Sequence, residues 1–437
     1  MTSGDPCDHA CSVQAQVMLS HSALPEGEPG KLWAVIKLSS GPEQQGSAGR
    51  LPLNVGVVLD RSGSMSGRPL DYVKRAAKFL IEQVGATDVL SLTVFDSQVD
   101  VVFPSQHVTN KDVLKQAVDS INTGGSTNLS GGLLRGYEEA LKERRSDQVN
   151  RVLLLTDGMA NSGIVDPDML AGKAGAMLRK GVSLSTVGVG LHFNEDLLIQ
   201  LAEAGKGSYY YVREPDEIPS VFASELQGLL SVVAQGINLE MHGLSGCRAA
   251  AVLGYEPTFD DTGMSFTLPD MFHDEQKLLA VEIDYPALPA GEHEIIRMKL
   301  SYADAAHDLD SVSLEVTAKL AVCSAGDQPK EPIFEVMKIV ELARTAIAKD
   351  RSVEAIDRGD FESGRKALEE RLTALKELQE AHGQVDADLQ EEIGNLERMS
   401  VQDPGLFCSC FDSGSRKELR YQSYQRRHSR PTNRPEK

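Results

Sequence analysis

The sequence predicts an α/β fold with a doubly wound, mostly parallel sheet, an accompanying β-sandwich and a C-terminal helical region. Three observations support this fold class. Between residues 50 and 231, continuously apolar runs alternate with segments that carry apolar residues at helical spacing. Residues 236–325 hold short strand-like segments that follow one another without helices. From 331 to 400 the apolar residues repeat only at helical spacing.

The parallel sheet is predicted from five apolar runs in the first region. They do not alternate with polar residues, which is typical of strands covered on both faces. The runs lie at 53–60, 89–95, 149–157, 182–190 and 208–212. A sixth run, at 99–104, follows the second too closely for a crossover helix. We therefore expect it to form an antiparallel edge strand beside 89–95.

The N-terminal residues 1–45 contain two more strand candidates, "SVQAQVMLSHSAL" and "KLWAVIKLSS". Nothing in the α/β region needs them, so we expect them to complete the sandwich formed by 236–325, with the α/β domain inserted between. Three amphipathic segments in 331–400 predict a helical hairpin or bundle. A coiled coil with another chain is the competing interpretation, but glycines interrupt the apolar runs.

Composition limits the classes of function. The chain has 437 residues, 41% hydrophobic and 25% charged, and a net charge of -20, which argues against a general nucleic-acid binder. The segment 413–437 is a basic tail, with eight Lys or Arg residues and two Glu residues. We expect this tail to lie on the acidic body or stay solvated. Binding of single-stranded nucleic acid, with Tyr421 and Tyr424 stacking on bases, is the alternative.

The chain shows no run of about 18 apolar residues and no basic-then-apolar start, so we expect no membrane span and a cytoplasmic location. Six dispersed cysteines predict reduced thiols rather than a disulfide framework. The pairs Cys7/Cys11 and Cys408/Cys410 lack nearby histidines at zinc-ligand spacing, which disfavours a zinc site.

Oxygen-bearing side chains are concentrated in three loops of the α/β region. Asp60, Ser62 and Ser64 occupy alternate positions in "DRSGSMSG" directly after the first strand. Thr127 precedes a helix in "TGGSTNLSGG", and Asp157 ends a strand in "LLLTDGMAN". Ligands of open α/β sheets bind beyond the carboxyl ends of the strands, where such loops converge. Carboxylates and hydroxyls without sulfur or imidazole favour Mg²⁺, Mn²⁺ or Ca²⁺.

This set of residues resembles the metal-ion-dependent adhesion site of the von Willebrand factor type A domain, the fold shared with integrin inserted domains. The Asp-x-Ser-x-Ser spacing, the distant threonine and the later aspartate all match. The resemblance implies a divalent cation, Mg²⁺ before Mn²⁺ or Ca²⁺, that Ser62 and Ser64 contact directly. It implies that Asp60, Thr127 and Asp157 contact it directly or through water. With its flanking β segments, the chain is similar to bacterial intracellular proteins with an inserted type A domain.

These features predict a metal-dependent protein-protein interaction module or scaffold, not an enzyme, that docks an Asp or Glu of a partner protein on the cation. The first alternative is a metal-dependent hydrolase, but the three loops offer only Arg61 and Arg68 as cations. The second, implied by the resemblance, is an adaptor of an AAA+ ATPase. Arg61, Asp96 and His192 are interpreted as loop residues, with a partner contact at the rim as the alternative for His192.

Overall fold

A computed structural model of the chain describes residues 11–42, 50–261, 263–307, 309–324, 331–399 and 412–428. The chain divides into two compact units. One comprises Gln44–Val232 and Ala305–Leu309, and the other Met1–Glu43, Val233–Asp304 and Asp310–Lys437. Within the described ranges, no helix is both long and apolar enough to cross a membrane.

Cys247 and Cys323 are free thiols. Cys7, Cys408 and Cys410 lie outside the described residues, so the two cysteine pairs considered for zinc stay untested.

Three strands precede the α/β unit: β1 (Val13–Leu19), β2 (Ala23–Pro25) and β3 (Gly30–Ser40). The α/β unit then follows as β4 (Leu53–Asp60), α1 (Arg68–Gln83), β5 (Val89–Phe95), β6 (Val99–His107), α2 (Lys111–Asp119), α3 (Leu129–Lys142), β7 (Val149–Thr156), α4 (Pro167–Leu178), β8 (Ser183–Val189), α5 (Glu195–Gly205), β9 (Lys206–Val212) and α6 (Ile218–Leu230). The alternation agrees with the predicted fold class, which is confirmed.

The six strands of this unit form one sheet in the order β6-β5-β4-β7-β8-β9. All neighbours are parallel except β6, which runs antiparallel to β5 at the edge. The antiparallel edge strand is thus confirmed. The chain leaves β4 for β5 on one side and later returns to β7 on the other. In an open α/β sheet, this reversal opens a crevice at the carboxyl ends of the central strands.

Helices cover β4 on both faces, which explains why every residue of this strand is buried. Val55 and Val57 join the apolar core that also includes residues of α1 and α6. On the opposite face, α3 approaches so closely that a Cβ on Gly136 would lie 2.1 Å from Cγ2 of Val58. Glycine is therefore needed at this helix–strand contact.

The other unit contains two further sheets. Their additional strands are β10 (Val232–Gly243), β11 (Arg248–Val252), β12 (Thr258–Phe259), β13 (Gly263–Thr267), β14 (Met271–Phe272), β15 (Gln276–Tyr285), β16 (Gly291–Asp304) and β17 (Asp310–Cys323). The first sheet has the order β1-β3-β15-β11, and the second β12-β13-β10-β16-β17-β2, with β14 paired to β10. One apolar core draws on both sheets, for example Ile36 and Val281 from the first and Leu239 and Met298 from the second.

Among the described residues, four helices complete this unit: α7 (Phe334–Asp357), α8 (Phe361–His382), α9 (Ala387–Met399) and α10 (Ser413–Arg427). Val336 and Val340 of α7 pack with Trp33, Val35 and Ala280 of the four-stranded sheet. A separate apolar cluster joins α7, α8 and α9 through Leu342, Leu368, Leu375, Leu389, Ile393 and Leu396.

The described part of the basic tail is mostly helix α10, which pairs its arginines with acidic residues of α7. Arg416 pairs with Asp357. Arg420 Nη1 lies 3.1 Å from Oδ1 of Asp350, and Arg427 Nε lies 3.2 Å from Oδ2 of the same carboxylate. Much of the positive charge in this helix is therefore offset within the chain itself.

Candidate metal site at the carboxyl edge of the sheet

Asp60, the last residue of β4, is held by hydrogen bonds from both sides. Its side chain is fully buried. Oδ1 accepts from the backbone N–H of Ser62 at 2.8 Å, and Oδ2 accepts from Oγ1 of Thr156, the last residue of β7, at 2.5 Å. Because its two partners follow or end adjacent strands, the carboxylate is fixed at the crevice between β4 and β7.

The loop after β4 brings its two serines together and points them to the next loop. Oγ of Ser62 lies 3.1 Å from Oγ of Ser64, which donates to Oδ1 of Asp157 at 2.7 Å. A single 3₁₀ turn, Gly63–Met65, makes this possible because it folds the chain back directly after Ser62. The hydroxyls therefore connect the first loop to the loop that follows β7.

Thr127 reaches the same place from the loop before α3, and its side chain is buried. A Cβ on Gly158 would lie 2.9 Å from Oγ1 of Thr127 and 3.6 Å from Oδ2 of Asp60. Both oxygens therefore border the space that this glycine leaves open. The backbone N–H of Asn161 also donates to the carbonyl of Thr127 at 3.2 Å, which holds the two loops together.

All five residues predicted from the sequence thus meet at the carboxyl edge: Asp60, Ser62, Ser64, Thr127 and Asp157. Within the described ranges, no group of three or more His, Cys, Asp or Glu residues is arranged to hold a metal ion. The candidate site therefore depends on two carboxylates supplemented by neutral hydroxyls. This is an all-oxygen donor set, which suits a hard divalent cation.

Electrostatics at the site also fit a cation. Burial, together with repulsion from Asp60, raises the pKa of Asp157 to about 6, although the Ser64 hydrogen bond and the nearby His192 partly oppose the rise. Burial likewise raises the pKa of Asp60, against the hydrogen bonds from Thr156 and Ser62. Both shifts mean that negative charge is disfavoured here without a counterion, and a divalent cation would supply one.

Asp96 organises the loop that carries Thr127, a role that the sequence did not reveal. Its Oδ2 accepts from the backbone N–H of Gly125 at 3.2 Å, and its carbonyl accepts from the N–H of Asn128 at 2.8 Å. A Cβ on Gly124 would lie 1.4 Å from Oδ2 of Asp96, so glycine is required at this position. Asp96 acts by positioning backbone around the candidate site.

Thr156 is a second positioning residue that sequence reasoning missed. Besides donating to Asp60, its Oγ1 accepts from the backbone N–H of Gly158 at 3.1 Å. The available signal was a single hydroxyl at the end of the apolar run "VLLLT", which forms the last part of β7. Such a residue is most simply read as a strand end, and only its partners reveal its role.

Comparison with known proteins finds a family and several relatives that this chain resembles. The von Willebrand factor type A domain family matches residues 54–224. The Synechocystis protein sll0103 is 28% identical over 305 residues, covering 67% of this chain and 71% of that protein. Escherichia coli YfbK is 32% identical over 190 residues, covering 43% and 33%. Arabidopsis thaliana WAV3, named an E3 ubiquitin-protein ligase, is 25% identical over 363 residues, covering 81% and 46%. The chain thus spans less than half of the last two relatives.

Two solved structures share the fold over almost the whole chain. A von Willebrand factor type A protein from Catenulispora acidiphila has a TM-score of 0.75 at 17% identity, covering 96% of this chain and 98% of that one. The ArnB paralog VWA2 from Sulfolobus acidocaldarius has a TM-score of 0.61 at 18% identity, covering 95% and 99%. These similarities show the fold, and together with the strand order and the family match they give residues 54–224 the fold of a von Willebrand factor type A domain.

Proposed function

We propose that the chain is a metal-dependent protein-protein interaction module or scaffold. Five side chains would hold a divalent cation, Mg²⁺ before Mn²⁺ or Ca²⁺: Asp60, Ser62, Ser64, Thr127 and Asp157. When bound, the cation would supply an open ligand position for an Asp or Glu carboxylate of a partner protein. The observation that carries the proposal is the convergence of oxygen donors from three loops at the point where the strand order reverses.

The chain's own residues support docking in two ways. Thr156 and the backbone after Asp60 hold one carboxylate in place before any partner arrives, so little ordering is required on binding. Only two carboxylates belong to the set, and three of the donors are neutral hydroxyls. A partner's carboxylate would therefore meet less repulsion than in a fully acidic cage.

A metal-dependent hydrolase is the less favoured alternative, because neither nearby arginine is directed to the site. Arg61 pairs with Asp100, and its Nε lies 3.6 Å from Oδ2 of Asp96. The guanidinium of Arg68 lies 5.9 Å from the ring centroid of Tyr72. Stabilising the negative charge of a hydrolytic transition state requires a cation aimed at the reacting group.

The relatives are compatible with a docking role. WAV3 is named an E3 ubiquitin-protein ligase, and the match covers 46% of it. We infer that the shared part serves partner binding, and we assign no ligase activity to this chain. An adaptor of an AAA+ ATPase would be a special case of the same docking, in which the partner's carboxylate belongs to the ATPase or its substrate.

The direct test is titration of the full chain with Mg²⁺ and Mn²⁺ by calorimetry. Asp157→Asn keeps the shape of the side chain and removes its charge, so the affinity for the cation should fall on the order of tenfold or more. Asp147→Asn is the matched control, since this exposed carboxylate pairs with Arg145 ahead of β7, at the opposite edge of the sheet. The control should bind like the parent.

Equal cation affinity in the parent and the Asp157→Asn variant would refute the proposed site. Loss of affinity in both variants would instead indicate a general effect of acidic charge rather than a site at the carboxyl edge.

A further inference from the structure

Four exposed apolar side chains lie in the loops and helix start that follow β7 and β8. Their exposed fractions are 47% for Met159, 54% for Val165, 55% for Met169 and 44% for Leu191. Single exposed apolar side chains are ordinary on a protein surface. These four differ because all of them follow the carboxyl ends of two adjacent strands. We call them the apolar lip.

Two residues of the apolar lip, Met159 and Leu191, lie in loops that begin beside the candidate metal site. Met159 is two residues after Asp157 in the chain. Thr156 at the end of β7 pairs with Gly188 near the end of β8, so the loop that carries Leu191 begins beside Asp157. A partner segment on the site would therefore also meet the lip.

The backbone of the lip is held in place by hydrogen bonds. The N–H of Ile164 donates to Oγ of Ser130 at 2.8 Å, and the N–H of Met169 donates to Oδ1 of Asp166 at 3.0 Å. Nε2 of Gln200 donates to Oδ1 of Asp168 at 2.8 Å, which joins α4 to α5. An ordered backbone means that covering the apolar side chains costs little additional conformational entropy.

Charge near the lip indicates what would cover it. The stretch 158–165, "GMANSGIV", has no charged side chain, whereas the exposed residues Asp166, Asp168 and Asp196 follow the two loops. A partner segment with several acidic residues would meet repulsion from these aspartates. An apolar side chain next to a single carboxylate would instead gain from burial against the lip.

We propose that the apolar lip selects a partner segment in which one Asp or Glu has a large apolar residue as its neighbour in sequence. The carboxylate would go to the metal site, and the apolar side chain would lie on Met159 and Leu191. The inference rests on the proposed function, because the carboxylate is what brings the segment to this edge of the sheet.

A matched control residue lies in the same domain at the opposite edge. β6 runs antiparallel, with Val99 beside Phe95 and His107 beside Val89, so α2 begins at the amino edge of the sheet. Val113 on α2 is 56% exposed, similar to the lip residues. Its replacement removes an exposed apolar side chain without altering the lip.

The test uses a random heptapeptide library displayed on phage and selected on the immobilised full chain, with Mg²⁺ or with chelator. We expect Mg²⁺-dependent enrichment of peptides that contain one Asp or Glu beside Leu, Ile, Phe or Met. The best such peptide, synthesised, should bind the Met159→Ser/Leu191→Ser double variant about tenfold more weakly than the parent and still require Mg²⁺. Its affinity for the Val113→Ser variant should equal that for the parent.

Different failures identify different errors. Mg²⁺-dependent acidic peptides without an apolar neighbour, or equal binding to the parent and the double variant, would overturn the lip and leave the metal docking intact. A second outcome is selection of apolar peptides whose binding is unchanged by chelator and by Asp157→Asn but is abolished in the double variant. This outcome would overturn the metal docking and the paired recognition that depends on it. Absence of any Mg²⁺-dependent or lip-dependent peptide would overturn both.

Discussion

Replacing Thr156 by valine should destabilise the α/β unit, because this buried hydroxyl makes two hydrogen bonds that valine cannot make. Oγ1 donates to Oδ2 of Asp60 at 2.5 Å and accepts from the backbone N–H of Gly158 at 3.1 Å. Valine has nearly the same shape, so no cavity accompanies the change. The effect therefore reports the two hydrogen bonds and the groups left without partners.

The expected cost is about 2–4 kcal/mol of unfolding free energy. A hydrogen bond to a charged group contributes roughly 1.5–3 kcal/mol, and a neutral one about 1 kcal/mol. Asp60 is fully buried, so water cannot replace the lost donor. The pKa of Asp60 should also rise further, because the hydrogen bond from Thr156 stabilises its ionised form.

Thr93→Val is the matched control. Thr93 lies in β5 and is equally buried, but its Oγ1 has no hydrogen-bond partner in the described part of the chain. Removing an unpaired buried hydroxyl should leave stability unchanged or raise it by about 1–2 kcal/mol. The two substitutions are chemically identical and should therefore have opposite or clearly unequal effects.

Hydrogen exchange measured by mass spectrometry on peptides from β4 and β7, in the presence of chelator, resolves the two effects. Protection of these strands should fall in Thr156→Val and not in Thr93→Val. Equal loss of protection in the two variants would refute the reasoning.

Three further outcomes are expected. In thermal melts, Gly136→Ala should lower the free energy of unfolding by about 1–3 kcal/mol, because the new Cβ would clash with Val58. Gly172→Ala is the control, because open space surrounds this residue. It should leave the free energy of unfolding unchanged or raise it by up to about 1 kcal/mol. Burial would raise the pKa of Asp88, but hydrogen bonds from Arg50 and backbone amides lower it overall. Above about pH 4, Arg50→Gln should therefore be less stable than the parent, because the ionised Asp88 loses its partner. This difference in stability between variant and parent should shrink as pH falls below that value, because Asp88 becomes protonated in both. Because α10 pairs its arginines internally, the full chain should show no micromolar binding of a single-stranded oligonucleotide in filter binding at about 150 mM salt.

Periodicity along the chain was sufficient to predict the fold class. Strands such as β4 are mostly apolar, with Asn54 and Asp60 as its polar residues, because helices cover both faces. The local sequence reflects this burial directly. The short spacing after β5 likewise excluded a crossover helix and predicted the antiparallel edge strand β6. Both are local properties, so they can be predicted from residues that are close together in the sequence.

Strand order was not predictable in the same way. β4 lies between β5 and β7, and β3 pairs with β15 although nearly the whole α/β unit separates them in sequence. Such pairings depend on which apolar faces and edges complement each other once the chain has folded. Each candidate partner has a similar composition, so the sequence does not distinguish among them.

For the candidate site as well, some properties follow from the local sequence and others only from the tertiary structure. The sequence by itself determined the donor types, because "DRSGSMSG", Thr127 and Asp157 bear oxygens at strand ends, and it thereby determined the class of ion they suit. Only the tertiary structure decided that Ser64 reaches Asp157 and that Thr156 orients Asp60. The physical reason is that a hydrogen bond acts over about 3 Å, and the residues it joins here are brought that close only by the pairing of β4 with β7.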